Sequence, residues 1–296
     1  MCGLSSAGSH IGVSSSYAAF IAALEHVAAR LHGIGQQARR DRDGEPFRTF
    51  VMVCAHAGLK TGEDGPTHAD PQALQLLQEN FPPGLCITLT PWEPQEIWPL
   101  LAAGLMARPA VLAPFVTRPN EKVPDREALG LPPASAAAQG IYALATADPA
   151  ADDYQGSLVI QESGVAYAFV DEALPRLRAD GMRMNIYLVT SPGLFDLLPE
   201  AERRRIFPPE RAAEAMGITG FTLATLYRWV TSEEGRAMSL HAFSRGRYPG
   251  SGQARQVLVE CGLDGEAQYT AIKRYAETFS TRRSRTSRTS SPYNRV

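Results

Sequence analysis

Residues 50–68 read FVMVCAHAGLKTGEDGPTH. The first five, apolar throughout and β-branched at Val51 and Val53, predict a short strand buried on both faces. Gly58, Gly62 and Gly65 then break the run into a loop whose backbone can turn tightly or approach a ligand closely. In open α/β sheets the crevice at the carboxyl ends of the strands is where ligands bind. This loop brings to that position two imidazoles (His56 and His68), two carboxylates (Glu63 and Asp64) and Lys60. A GxxxxGK phosphate loop does not fit, because Pro66 follows Gly65 where lysine is required.

Working outward, apolar residues at Phe20, Ile21, Leu24, Val27, Ala28 and Leu31 predict a helix over 17–40. Downstream come a helix over 71–79, a strand at 86–89, a helix over 93–106 and a strand at 110–116. Such alternation implies a parallel sheet covered by helices on both faces. Between 121 and 156 proline, alanine and acidic residues show only weak periodicity, the character of a linker. Order resumes with strands at 157–161 and 184–189 and helices at 166–179, 209–216 and 253–259. The expected fold class is therefore α/β, with two consecutive open, mostly parallel sheets covered by helices. Its expected divisions are 1–120, a linker over 121–156, a second domain over 157–279, and a disordered basic tail, STRRSRTSRTSSPYNRV, over 280–296.

Composition narrows the class. Hydrophobic residues make up 44% and charged residues 20% of the 296, as in a globular chain with a substantial core. Net charge is −2 with the excess of arginine in the tail, so the body gives no reason to expect a nucleic-acid partner. No apolar run is long enough for a membrane span, and the first residues lack the pattern of a signal peptide. Four scattered cysteines without a CxxC pair suit reduced thiols and a cytoplasmic location.

GEDGPTH, with a strand-end histidine seven residues before its glutamate, resembles the pyrimidine-binding domain of the transketolase family. Three further stretches fall in matching order. GSHIGVSSSYAAF from Gly8 resembles the loop leading into an aromatic-bearing helix. TRPN at 117–120 resembles the strand end that contributes a phosphate-binding arginine. PGSGQARQVLVECGL from Pro249 resembles a Gly/Ser-Gly segment of the family's C-terminal domain.

The resemblance implies thiamine diphosphate as cofactor and transfer of a two-carbon ketol unit between sugar phosphates. It places His56 and Asp64 toward sugar hydroxyls, and His68 beside the reacting carbonyl or phosphate path. It gives Arg118 the substrate phosphate, a task suited to a planar, always-charged fork. Tyr17 and Phe20 have the spacing of the aromatics that pack on the aminopyrimidine ring, although an ungapped match puts Ala18 and Ile21 there instead.

No GDG motif with its downstream asparagine occurs, so the diphosphate and its magnesium are expected on a missing domain or partner chain, with no metal ligand here. The family's catalytic glutamate and first strand are likewise expected to lie upstream of Met1, leaving an exposed sheet edge. The chain alone is accordingly expected to be inactive and to pair as a homo- or heterodimer. A 2-oxo-acid dehydrogenase component and a non-catalytic binding remnant are the alternatives. In the bland reading Asp64 caps a turn, Arg118 is a surface residue, Tyr17 and Phe20 are core, and Glu63 pairs with Lys60.

Overall fold

The structure, a computed structural model, describes residues 1–8 and 10–289. Four parallel strands form the first sheet in the order β1-β2-β4-β3: β1 (Gly12–Tyr17), β2 (Phe50–Ala55), β3 (Cys86–Leu89) and β4 (Val111–Pro114). The apolar run at Phe50 is the partner of both β1 and β4, as its two-faced hydrophobicity requires.

The second sheet has the order β5-β7-β6-β8: β5 (Ile141–Ala145), β6 (Ser157–Gln161), β7 (Asn185–Val189) and β8 (Ala215–Thr219). Strands β6, β7 and β8 are parallel, and β5 runs antiparallel along one edge. The chain is thus an α/β protein built from two mostly parallel sheets flanked by helices.

Carboxyl ends of the two sheets meet. Thr90, just past β3, donates its backbone N–H to Thr190 O, just past β7, at 2.7 Å. Below that contact lies a buried polar knot. Arg126 Nη1 donates to Glu93 Oε1 at 2.6 Å and to Glu96 Oε1 at 3.3 Å. The Tyr142 hydroxyl from β5 donates to Glu96, while Trp92 Nε1 donates to Tyr142 Oη at 2.9 Å. Buried charges need such partners, since removing one leaves the others uncompensated in a medium of low polarity.

Four expectations change. Tyr17 is the last residue of a strand, not the first of a helix; helical backbone runs from Ala18 to Asp43. Serine-rich β1 hides its strand character because most of its positions are partly or wholly exposed and it carries no apolar run. The helical run contains a π turn at Glu25–Leu31. Along this run Ile21 and Ala28 are buried whereas Phe20, Val27 and Leu31 face solvent.

The expected linker contains a 3-10 turn at Ala134–Gln139 and β5, a short edge strand with a bulge that weakens its periodicity. The expected helix over 209–216 ends at Ala213, and the following five residues are β8, whose apolar run AMGIT reads equally as either state. A helix at Gly265–Thr289 carries into the expected disordered tail. Within it Thr278, Ser280 and Thr281 return their hydroxyls to carbonyls four residues back. Residues 290–296 of that tail lie outside the described residues.

Candidate functional site

Strands β2 and β4 end side by side. Val116 N donates to Cys54 O at 2.9 Å and Ala57 N donates to Val116 O at 3.0 Å. This pairing places His56 and Arg118 next to each other, although 62 positions separate them in the sequence. On the other flank, β1 runs in register with β2, so that Tyr17 lies opposite Ala55. Ala19 N then donates to His68 O at 3.1 Å, fastening the start of the helix to the end of the loop.

All six residues singled out from the sequence therefore come together in one cluster. The His56 ring is stacked on Tyr17, with centroids 4.2 Å apart and planes inclined by 25°. His68 meets Tyr17 edge-on at 5.1 Å and Phe20 at 5.8 Å. Asp64 Oδ2 lies 3.4 Å from His56 Nδ1 and 3.4 Å from Arg118 Nη2. Arg118 Nη2 also donates to Glu63 Oε2 at 3.3 Å. The Thr67 hydroxyl lies 3.0 Å from His68 Nδ1.

Burial is graded across this group. His56 is 6% exposed, whereas Tyr17 and Phe20 are 40% and 48% exposed. Tyr17 and Phe20 are therefore an open aromatic platform rather than core. His56 itself has φ 57°, the left-handed region that a non-glycine side chain adopts at a cost of about 1–3 kcal/mol. Burial is the main force lowering its pKa, opposed by the Asp64 carboxylate and assisted by Arg118 and His68. The lowered pKa favours the neutral ring, in which one nitrogen donates a hydrogen bond and the other accepts one.

Lys60 does not pair with Glu63. Its ammonium bonds Glu121 and lies 3.4 Å from the centre of the Tyr167 ring, while Glu63 takes Arg118. The reach across to Tyr167 depends on tertiary packing that loop spacing does not encode. Two further contributors come from the second half of the chain: Glu162, against Gly58, and Ser251, against Gly65. Ser251 belongs to the Pro249 segment already noted for its glycines. Glu162 gives no sequence signal of its own.

The donor set divides by chemistry. An exposed aromatic pair beside two imidazoles fits a flat heteroaromatic ring. For a diphosphate-bound metal the described residues offer no group of three His, Cys, Asp or Glu side chains able to hold an ion. A separate cavity of about 760 Å³, lined by residues including Arg236, His241, Arg245 and Arg274, contains none of the six site residues.

The fold and this cluster define an α/β protein whose polar loop lies at the carboxyl end of a parallel sheet beside an exposed aromatic pair. No protein-family model matches the chain. Transketolase from Aquifex aeolicus is 27% identical over 205 residues, covering 68% of this chain and 27% of its own length. Transketolase from Leishmania mexicana superposes with a TM-score of 0.69 at 18% identity, over 91% of this chain and 34% of its own. A split-gene transketolase, described as an inactive β4 tetramer, superposes with a TM-score of 0.57 at 16% identity; the match covers 94% of this chain and 80% of that one. The chain is transketolase-like in sequence and fold, and it spans about a quarter of the length of its curated relative.

Proposed function

We propose that the chain is the substrate-facing part of a transketolase-like enzyme that transfers a two-carbon ketol unit between sugar phosphates, and that it is inactive alone. What carries the reading is the meeting of Tyr17, Phe20, His56, Asp64, His68 and Arg118 in one partly exposed cluster at the strand ends. Thiamine diphosphate, when bound, supplies the stabilised carbanion that ketol transfer needs.

The chain's residues do the rest. Tyr17 and Phe20 present a face for the aminopyrimidine ring. His56 and Asp64 hold sugar hydroxyls, the imidazole kept neutral by its burial. His68 exchanges a proton with the substrate oxygen, and Arg118 turns from Glu63 to bind the substrate phosphate. The diphosphate and its magnesium belong to a second domain or subunit. Val27, Leu31 and Ile34, exposed on the helical run of the first half, offer apolar surface suited to that partner or to a second copy of the chain. Four free cysteines accord with a cytoplasmic location.

The test is an assay of ketol transfer from a ketose phosphate with thiamine diphosphate and magnesium. The chain alone should show none. Adding a separately produced transketolase diphosphate-binding domain that also carries the family's catalytic glutamate and first pyrimidine-domain strand should restore it, and His56→Ala or Asp64→Ala should remove it again. Turnover by the chain alone would contradict the proposal. Turnover of pyruvate in place of the ketose phosphate would favour the 2-oxo-acid dehydrogenase reading.

A further inference from the structure

Glu162 follows β6 at its carboxyl end and has φ 100° and ψ 143°, a conformation close to one reserved almost entirely for glycine. Its side chain is buried, and its carboxylate accepts from Gly164 N at 2.8 Å and from Val165 N at 3.0 Å. Three glycines close around that carboxylate. A methyl group built on Gly58 or on Gly220 would sit 2.2 Å or 2.3 Å from its oxygens, and one on Gly164 3.0 Å away. Gly164 and Gly220 belong to the second half of the chain. Gly58 belongs to the candidate site, two residues after His56, and is itself left-handed at φ 76°.

We infer that Glu162 is a positioning residue: its carboxylate, held by the second sheet, fixes the 56–64 loop in the shape that presents His56 and Asp64. This rests on the site reading above for its functional meaning, but the contact is a property of the chain itself. Helix capping alone does not account for the arrangement. Serine caps two other helices here, at Ser191 and Ser232, from ordinary extended backbone. A left-handed glutamate is retained at a cost, and strain of this kind persists where the surroundings over-determine it. The long side chain reaches Gly58, which serine or aspartate could not do while capping the same turn. Lys60, two residues further along the loop, adds a second tether through Glu121 and Tyr167.

Glu162→Gly separates positioning from stability. Glycine relieves the backbone strain while deleting the cap, two changes of opposite sign, so the urea midpoint should stay near that of the parent chain. Hydrogen exchange of amides 57–65 should nevertheless quicken roughly ten-fold, with β6, β7 and β8 unchanged. The His56 imidazole, followed by NMR, should titrate closer to its ordinary value as the loop loosens; a role confined to capping would leave it where it is. Glu162→Gln, which keeps the shape and one acceptor, should give a smaller change in the same direction and serves if the glycine variant does not fold. Unaltered exchange over 57–65 and unaltered His56 titration in the folded variant would overturn the inference. Neither readout needs cofactor, substrate or partner, so failure here is distinguishable from failure of the ketol-transfer reading.

Discussion

Every residue of β6, β7 and β8 is buried, whereas β1 buries one position and leaves the others partly or wholly in water. The helical run over the first sheet shows Val27, Leu31 and Ile34 to solvent at 52–60% exposure, while the helix at Ser163–Ala168 over the second is buried throughout. In one half the parallel strands are buried along their whole length by the chain's own packing. The other keeps an open strand edge, an apolar flank and an aromatic platform, and the candidate site lies in that half. Stability and function are therefore expected to respond to different residues.

The sharpest contrast should come from paired substitutions. Arg126→Ala strips the charge partner from two buried carboxylates, Glu93 and Glu96, and should cost about 3–5 kcal/mol in urea unfolding. Ile160→Ala in fully buried β6 should cost about 2–5 kcal/mol through the lost transfer energy and the cavity left behind. Val27→Ala, on the open flank, should change stability by less than about 0.5 kcal/mol. Comparable losses at Ile160 and Val27 would show that the two halves are not divided in this way.

Acidity gives the next test. Burial, only partly offset by Tyr142 and Arg126, pushes Glu96 from 4.5 up to about 7. The folded chain thus holds a proton that the unfolded chain has released. The favourable contribution is fully present below pH 4.5 and is lost as pH rises towards 7. Over that window the parent chain should lose a few kcal/mol of stability that Glu96→Gln does not lose, a difference readable from urea midpoints at pH 5 and pH 7.5. Parallel pH curves for the two proteins would break the link between this group and the seam joining the sheets.

How much of this was legible depended on how locally each feature is encoded. Apolar β-branched runs mark β2, β3 and β6 within a residue or so of their ends. The two-sheet class follows from their alternation with helices. The six candidate residues could be singled out, and their meeting in space expected, because three of them lie within thirteen positions of one glycine-punctuated loop, and because the other short stretches resemble those of one family. Strand β1 was not, since GVSSSY lacks the apolar signature and is held by pairing along a single side. Nor was β8, whose apolar run fits either regular state. The Lys60 contact with Tyr167 and the Glu162 contact with Gly58 join residues more than a hundred positions apart. Such contacts arise only when the carboxyl ends of the two sheets face each other.

The smallest expected effect probes the open half from within. Burial lowers the His56 pKa; Asp64 acts against it, and Arg118 and His68 act with it. Asp64→Asn removes the opposing carboxylate while keeping the side-chain shape, so the imidazole should titrate at still lower pH. Arg118→Gln should move it the other way, because a nearby cation no longer penalises protonation. Both shifts should shrink as salt is raised, since Asp64 and Arg118 are partly exposed and salt screens charges that reach water. Imidazole NMR along a pH series measures the change directly. The opposite signs of the two variants are the critical feature, because a loop that had merely loosened would move His56 in the same direction in both. Matching shifts would mean that the three side chains are neighbours in space without forming one electrostatic unit.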